Sequence, residues 1–192
     1  MAGKRTGPTV AGIADHYGWA AVVTVGPGGV VVDRRRAQLV DPALPASPIH
    51  HEAQALPIDQ AIALVHEVAR SIAGHVAALW DELAAEHPVT AVALKQLPVL
   101  PEELADQIRS YHAQTRADPA RYRRLLAEGA SGRGWAVEWY DHRRVVDEAT
   151  AALGLGPGHV EAPRARLGAP WTADHRRAYA AALLAQHHLA RA

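Results

Sequence analysis

The sequence has no cysteine, no phenylalanine, a single methionine and no excess of either charge. Each of these absences excludes something. Without cysteine there is no disulfide framework, no thiolate metal ligand and no cysteine nucleophile, a pattern that suits the cytosol. Without phenylalanine, the core must be built from Ala, Val, Leu and Ile, with five Trp and five Tyr supplying the bulk. Lys plus Arg number 20 and Asp plus Glu number 20. That balance argues against a strongly electrostatic nucleic-acid binder but leaves room for a local basic face. No apolar run approaches the ~20 residues that span a bilayer. Met1 to Pro8 is polar and lacks the apolar core of a signal peptide. The expectation is a soluble, cytoplasmic protein with no membrane partner, and the wealth of Ala, Arg, Gly and Pro points to a GC-rich bacterial genome.

What is present fits one folded unit. A chain of 192 residues that is 49% hydrophobic can bury a real core. Residues 1–8 read as a flexible lead-in and residues 9–190 as a single domain. Val10 to Val25 is apolar and rich in small and β-branched residues, and Val30 to Val40 resumes that pattern after Gly26-Pro27-Gly28-Gly29. Two β-rich runs joined by turn residues predict a β-hairpin. Asp41 to Pro57 carries four prolines, which remove backbone donors and block a helix, leaving a connector with one short extended stretch near Ile49 to Ala53.

Ile58 to Glu86 is the clearest helix. Ile62, Val65, Ala69, Ile72, Val76, Leu79 and Leu83 recur at three- and four-residue spacing and line one face. Pro88 stops it, and Val89 to Leu94 reads as a buried strand. Helical pieces are expected over Leu104 to Tyr111 and Ala120 to Ala130, a strand over Trp135 to Tyr140, and a helix over His142 to Leu153 closed by Gly154. A Gly/Pro-rich loop runs from Gly156 to Pro170. Thr172 is a good N-cap for a last helix reaching about His188. No internal repeat is visible.

The order is hairpin, irregular third strand, long helix, strand, helix, strand, helix. Strand–helix alternation after a hairpin implies a mixed, mainly parallel sheet with helices packed on both faces, an α/β fold. This order resembles the RNase H-like superfamily, especially its Holliday-junction-resolvase-like branch. Gly12-Ile13-Ala14-Asp15 resembles that branch's first-strand Gly-Ile-Asp, and Thr172-Ala173-Asp174-His175-Arg176-Arg177-Ala178 resembles its last helix. The resemblance implies that the first and fourth strands lie side by side under the last helix. It also implies that acids from these places meet and hold Mg²⁺ or Mn²⁺ for phosphodiester cleavage. It therefore nominates Asp15 and Asp174 as catalytic carboxylates.

The chain departs from that pattern twice. Ala14 stands directly after Ile13, so Asp15 is one residue late. Strand side chains alternate faces, and Asp15 then points away from the site unless a bulge corrects it, while His16 shares the parity of Ala14. The strand Val89 to Leu94 ends in Lys95 and Gln96 where an acid is wanted. Lys95 can neutralise a phosphate but cannot hold Mg²⁺.

Other constellations each carry two readings. His16, His51 and Asp174 are candidate ligands of a mixed nitrogen and oxygen site suited to Zn²⁺ or Mn²⁺. Equally, Asp174 complements a helix dipole and the histidines are solvated. Lys95, Arg116, Arg121 and Arg124 are candidate nucleic-acid contacts, with Arg123 and the interleaved Tyr111 and Tyr122. The plain alternative is a solvated helix face with Tyr packed inward. In Arg34-Arg35-Arg36, alternation sends the middle arginine to the opposite face from its neighbours. Asp141 is either a ligand contact at a strand end or an N-cap. Three functions follow: a nucleic-acid-associated protein with divergent or lost metal-dependent nuclease activity, a non-catalytic protein-interaction module, or a metal-dependent hydrolase of a small molecule.

Overall fold

A computed structural model describes residues 7–156 and 158–191. Of the expected lead-in, residues 1–6 lie outside the described residues. Three strands open the chain: β1 (Thr9–Asp15), β2 (Trp19–Gly26) and β3 (Val30–Gln38). The apolar run from Val10 to Val25 is thus itself a hairpin, and the opening unit is a three-stranded antiparallel meander. The turn that divides it is His16-Tyr17-Gly18. Gly18 adopts φ 78°, a conformation that side chains with a Cβ resist, and the His16 amide donates to the Trp19 carbonyl to close the turn.

Then follow α1 (Ile58–Glu86), β4 (Val89–Lys95), α2 (Leu104–Arg109), α3 (Tyr111–Ser131), β5 (Ala136–Tyr140), α4 (Val145–Leu153), the short α5 (Pro163–Leu167) and α6 (Ala173–Leu189). The expected extended stretch near Ile49 to Ala53 is instead turn and a 3-10 segment at Glu52–Ala55. The five strands lie in the order β3-β2-β1-β4-β5, with β1 parallel to β4 and β4 parallel to β5. The strands predicted to lie side by side do so.

Both faces of the sheet are covered. Ala11, Ile13, Val22, Val92 and Leu94 face α1 and α3, where Val68, Ile72, Trp80, Tyr122 and Leu126 complete one core. Val10, Ala14, Ala21, Val23, Ala91 and Ala93 face α4 and α6 in the other. All seven β1 residues are buried, as expected of a central strand covered on both sides. By length and composition α1 would suffice to cross a membrane, yet its apolar stripe lies against the sheet and its other side carries Asp59, His66, Glu67 and Arg70.

One contact positions the site. A Cβ placed on Gly12 would lie 1.8 Å from the Ala178 carbonyl oxygen and 3.1 Å from the Ala182 nitrogen. Glycine on β1 and alanines on α6 let the helix cross the central strand almost backbone to backbone. Asp174 precedes Ala178 by one turn and lies on the same helical face, so this crossing carries it to the C-terminal end of β1.

Candidate functional site

The C-terminal ends of β1, β4 and β5 meet the N-terminus of α6 and the flank of α3. In open α/β sheets this edge is where ligands are held. His16 and Asp174 come together as their parity and the helix crossing require: Nε2 lies 3.0 Å from Oδ2, a close contact without the alignment of a hydrogen bond. The His16 ring stacks on Trp19 at 4.2 Å between centroids, and the Arg36 guanidinium lies over the indole at 4.3 Å. Asp174 also meets Arg177 at 3.4 Å.

Asp15 goes elsewhere. The β1–β2 register is regular from Val10 to Asp15, and the irregularity between β1 and β4 falls at Thr9 and Val10, upstream of Gly12. No bulge turns Asp15 toward α6. It is 3% exposed and faces α3, where Arg123 Nε donates to Oδ2 at 3.0 Å and Lys95 Nζ stands 3.5 Å from Oδ1. Lys95 also donates to the Asp15 backbone carbonyl, and Arg123 to the Gln96 carbonyl at 3.0 Å. Burial lowers the Lys95 pKa, with the Asp15 carboxylate opposing. Beside this triad, Tyr140 donates to the Ile13 carbonyl at 2.7 Å, and burial holds its hydroxyl proton tightly.

The metal centre implied by the resemblance does not fit these residues. On the α6 side of β1 stands Ala14, with no ligand atom. The end of β4 supplies a cation, Lys95. Asp15 faces α3 and is enclosed between Arg123 and Lys95, and Asp174 is engaged by His16 and Arg177. His51 does not join His16 and Asp174. It is exposed, its ring tilted against that of His50 at 4.4 Å, in a turn whose Ile49 and His50 amides donate to the buried Asp118 carboxylate of α3. Among the described residues, the group of three or more ligand-type side chains within 4.8 Å of one another is Asp33, Glu86 and His87, at the far end of the sheet. There the Arg35 guanidinium already binds Asp33 at 2.8 Å and Glu86, so the cluster holds a cation of its own.

A groove of about 450 Å³ opens beside the triad. Lys95, Arg116, Arg123, Tyr140, Asp141, His142 and Arg143 line it. Arg143 is exposed and in no ion pair among the described residues. Arg116 is tethered to the His112 carbonyl at 2.7 Å through Nη2, and burial together with Lys95 lowers the His142 pKa. Asp141 Oδ1 accepts from the Arg143 amide at 2.9 Å, so it shapes the turn before α4 and presents Arg143. Tyr17 donates to the Thr115 carbonyl at 3.2 Å and is 43% exposed, and Tyr111, one turn before Thr115, is 81% exposed. Tyr17 thus sits beside Thr115 in the groove lining, with Tyr111 one helical turn away. Of the four predicted nucleic-acid contacts, Lys95 and Arg116 line the groove, whereas Arg121 and Arg124 line a separate cavity on the neighbouring face of α3. Sequence reasoning missed Arg143 and Tyr17; the position of Arg143 just after the β5 end was the signal that could have found it.

The arginine run divides as alternation requires. Arg34 donates to the Gly168 and Pro170 carbonyls, Arg35 turns to the α1 side, and Arg36 covers Trp19.

Strand order, the helix crossing and the helices on both faces define an RNase H-like fold. The comparison with solved structures agrees with it. The chain is similar to T. thermophilus RuvC in complex with Holliday junction substrate, at 16% identity and a TM-score of 0.59, covering 96% of each chain. It is similar also to a Thermus thermophilus RuvC structure, at 17% identity and a TM-score of 0.52, covering 95% of this chain and 96% of that one. No protein-family model and no curated protein matches the chain.

Proposed function

We propose that this protein binds nucleic acid through the groove at the C-terminal edge of its sheet and does not cleave it by metal-dependent chemistry. One observation carries the reading. The positions that would present carboxylates to a divalent metal hold Ala14 and Lys95, and Asp15 turns toward α3, where Arg123 and Lys95 neutralise it. A cluster of acids needs an external dication to balance its charge. Here the protein supplies the cations, and Arg116 and Arg143 add to them. The surplus positive charge suits phosphodiesters, which release counterions on binding, and Tyr17 and Tyr111 offer stacking surfaces for unpaired bases. The fold is shared with a protein solved on a Holliday junction, so branched DNA is the first probe.

The test is fluorescence anisotropy with a four-way junction, a single strand and a duplex, in EDTA and then in Mg²⁺ or Mn²⁺. Binding is expected in EDTA, weakening steeply with salt. Arg143→Glu and Arg116→Glu should each weaken it and lower the slope of log K against log salt by roughly 1 per lost phosphate contact. No product is expected in either metal. Absence of binding at low salt, or cleavage in Mg²⁺ that Asp174→Asn abolishes, overturns the proposal.

A further inference from the structure

On the face of α3 next to the groove, offset by one residue or about 100° of helix, lies a second cavity of about 270 Å³. It sits between α2 and α3 and is lined by Gln107, Ala117, Arg121, Arg124, Leu125 and Glu128. Its polar groups are arranged unusually. Arg121 Nε is fully buried and has no hydrogen-bond partner among the described residues, and no carboxylate lies within ion-pair distance of its guanidinium. Every other buried arginine group described here has an acceptor: Arg123 has Asp15, Arg35 has Asp33 and Arg133 has the Ala77 and Gly129 carbonyls. The nearby Asp118 makes no hydrogen bond or ion pair with it; its two oxygens accept the Ile49 and His50 amides at 3.2 and 3.0 Å.

Arg121 is half-buried, and its buried Nε–H without an acceptor is costly, since that donor forfeits hydration and gains nothing in return. Burial lowers the Arg121 pKa, opposed by the Asp118 charge, but a guanidinium stays protonated in proteins. The cost is relieved when an anion enters. Arg124, one turn further along the same face, adds a second guanidinium. Gln107, 4% exposed, is held at the wall by its Nε2 donating to the Pro101 carbonyl at 2.7 Å.

From these contacts we infer that the cavity between α2 and α3 is a binding site for a small phosphate-type oxyanion, with Arg121 as its anchor. Two guanidinium forks match the tetrahedral oxygens of phosphate better than a lone lysine would. The volume is many times that of one water, ample for inorganic phosphate or a terminal phosphate monoester. Glu128 stands at the rim as the competing anion, in no ion pair with Arg121 or Arg124, and it sets a limit on affinity. The site does not depend on the groove.

Inorganic phosphate is the probe, titrated by calorimetry into the full chain at constant ionic strength with chloride as the reference. A saturable, one-to-one isotherm is expected. Arg121→Gln should weaken it at least tenfold, Arg124→Gln severalfold, and Glu128→Gln should tighten it, while Arg143→Gln in the groove leaves it unchanged. Arg121→Lys keeps the charge but removes the buried Nε–H, and the same tenfold loss is expected if Arg121→Gln does not fold. An oligonucleotide with a 5′-phosphate, compared with its dephosphorylated form, separates a terminal phosphate from the free ion. A response that tracks ionic strength alone, persists in the Arg121 variants or vanishes in Arg143→Gln overturns the inference.

Discussion

Replacing Asp15 by alanine separates the two roles this residue has been given. As a metal ligand its loss would abolish cleavage and leave the fold intact. As the centre of a buried ion triad its loss is a matter of stability. Asp15 is 3% exposed, and the side chains of Lys95 and Arg123 are 14% and 16% exposed, so removing the carboxylate leaves two cations largely out of water without a counter-charge. Breaking a buried pair by deleting one partner costs about 3–5 kcal/mol. Both cations open onto the groove and recover some hydration, which places the expected loss at about 3 kcal/mol. At this chain length that is a fall in Tm of roughly 6–12 °C. Urea unfolding followed by tryptophan fluorescence measures it directly, with the slope m expected to hold. The triple replacement Asp15→Leu, Lys95→Met, Arg123→Leu removes all three charges together and is expected to recover most of the loss, because uncharged packing often matches a buried ion pair. A cost below about 1 kcal/mol for Asp15→Ala, or a triple variant less stable than the single one, would refute the triad as a structural unit.

Three further outcomes are expected. Gly12→Ala drives a Cβ to 1.8 Å from the Ala178 carbonyl and must push α6 off β1, a loss of about 3 kcal/mol by urea titration; stability near wild type would mean the crossing is looser than described. Tyr140→Phe removes the hydroxyl that donates to Ile13 and should cost about 1–2 kcal/mol, with no change expected if that hydrogen bond is absent. Asp118, 2% exposed, is pushed up to about 6 by burial, so the folded state holds its proton more tightly than the unfolded chain. Its contribution is therefore fully present below about pH 4 and declines by up to about 3 kcal/mol as pH rises through 6. The stability difference between wild type and Asp118→Asn should change by that amount between pH 4 and pH 7, and a pH-independent difference would contradict the burial.

The elements legible in the sequence were those whose signal is local. The period of α1 and the stop at Pro88 gave its ends to the residue, and strand β4 followed from its β-branched run. The turn at His16-Tyr17-Gly18 was hidden because one glycine in an apolar run is a weak mark, so two strands read as one. Helix α3 runs through Pro119 because tertiary contacts offset the missing amide: Asp118 accepts two loop amides and Tyr122 donates to the Ala46 carbonyl at 2.9 Å. Helix α4 begins at Val145 rather than His142 because Asp141 first closes a turn through the Arg143 amide. In the site, parity alone placed His16 toward α6 and Asp15 away from it, and the regular register bears out both. What parity could not give is the partner of Asp15, since Arg123 lies 108 residues away on a helix whose rotation depends on packing.

The same scaffold can therefore be read through its charge balance. The crossing of α6 over β1 brings Gly12 against Ala178 and Ala182, upstream of the strand ends. Those ends decide between two electrostatic solutions. Several carboxylates facing one cleft repel one another and are stable only around a dication; a carboxylate held between a lysine and an arginine is balanced by the chain itself and presents the surplus positive charge outward. Moving the acid from position 14 to position 15 turns it to the other side of the sheet, and Lys95 then occupies the space where its charge would repel a metal. Restoring Ala14→Asp alone would place a carboxylate beside Lys95 and Asp174, where the lysine can pair with it. Metal affinity should return only when Lys95 is replaced by an acid as well, and a single Ala14→Asp variant that binds Mn²⁺ tightly would break this account.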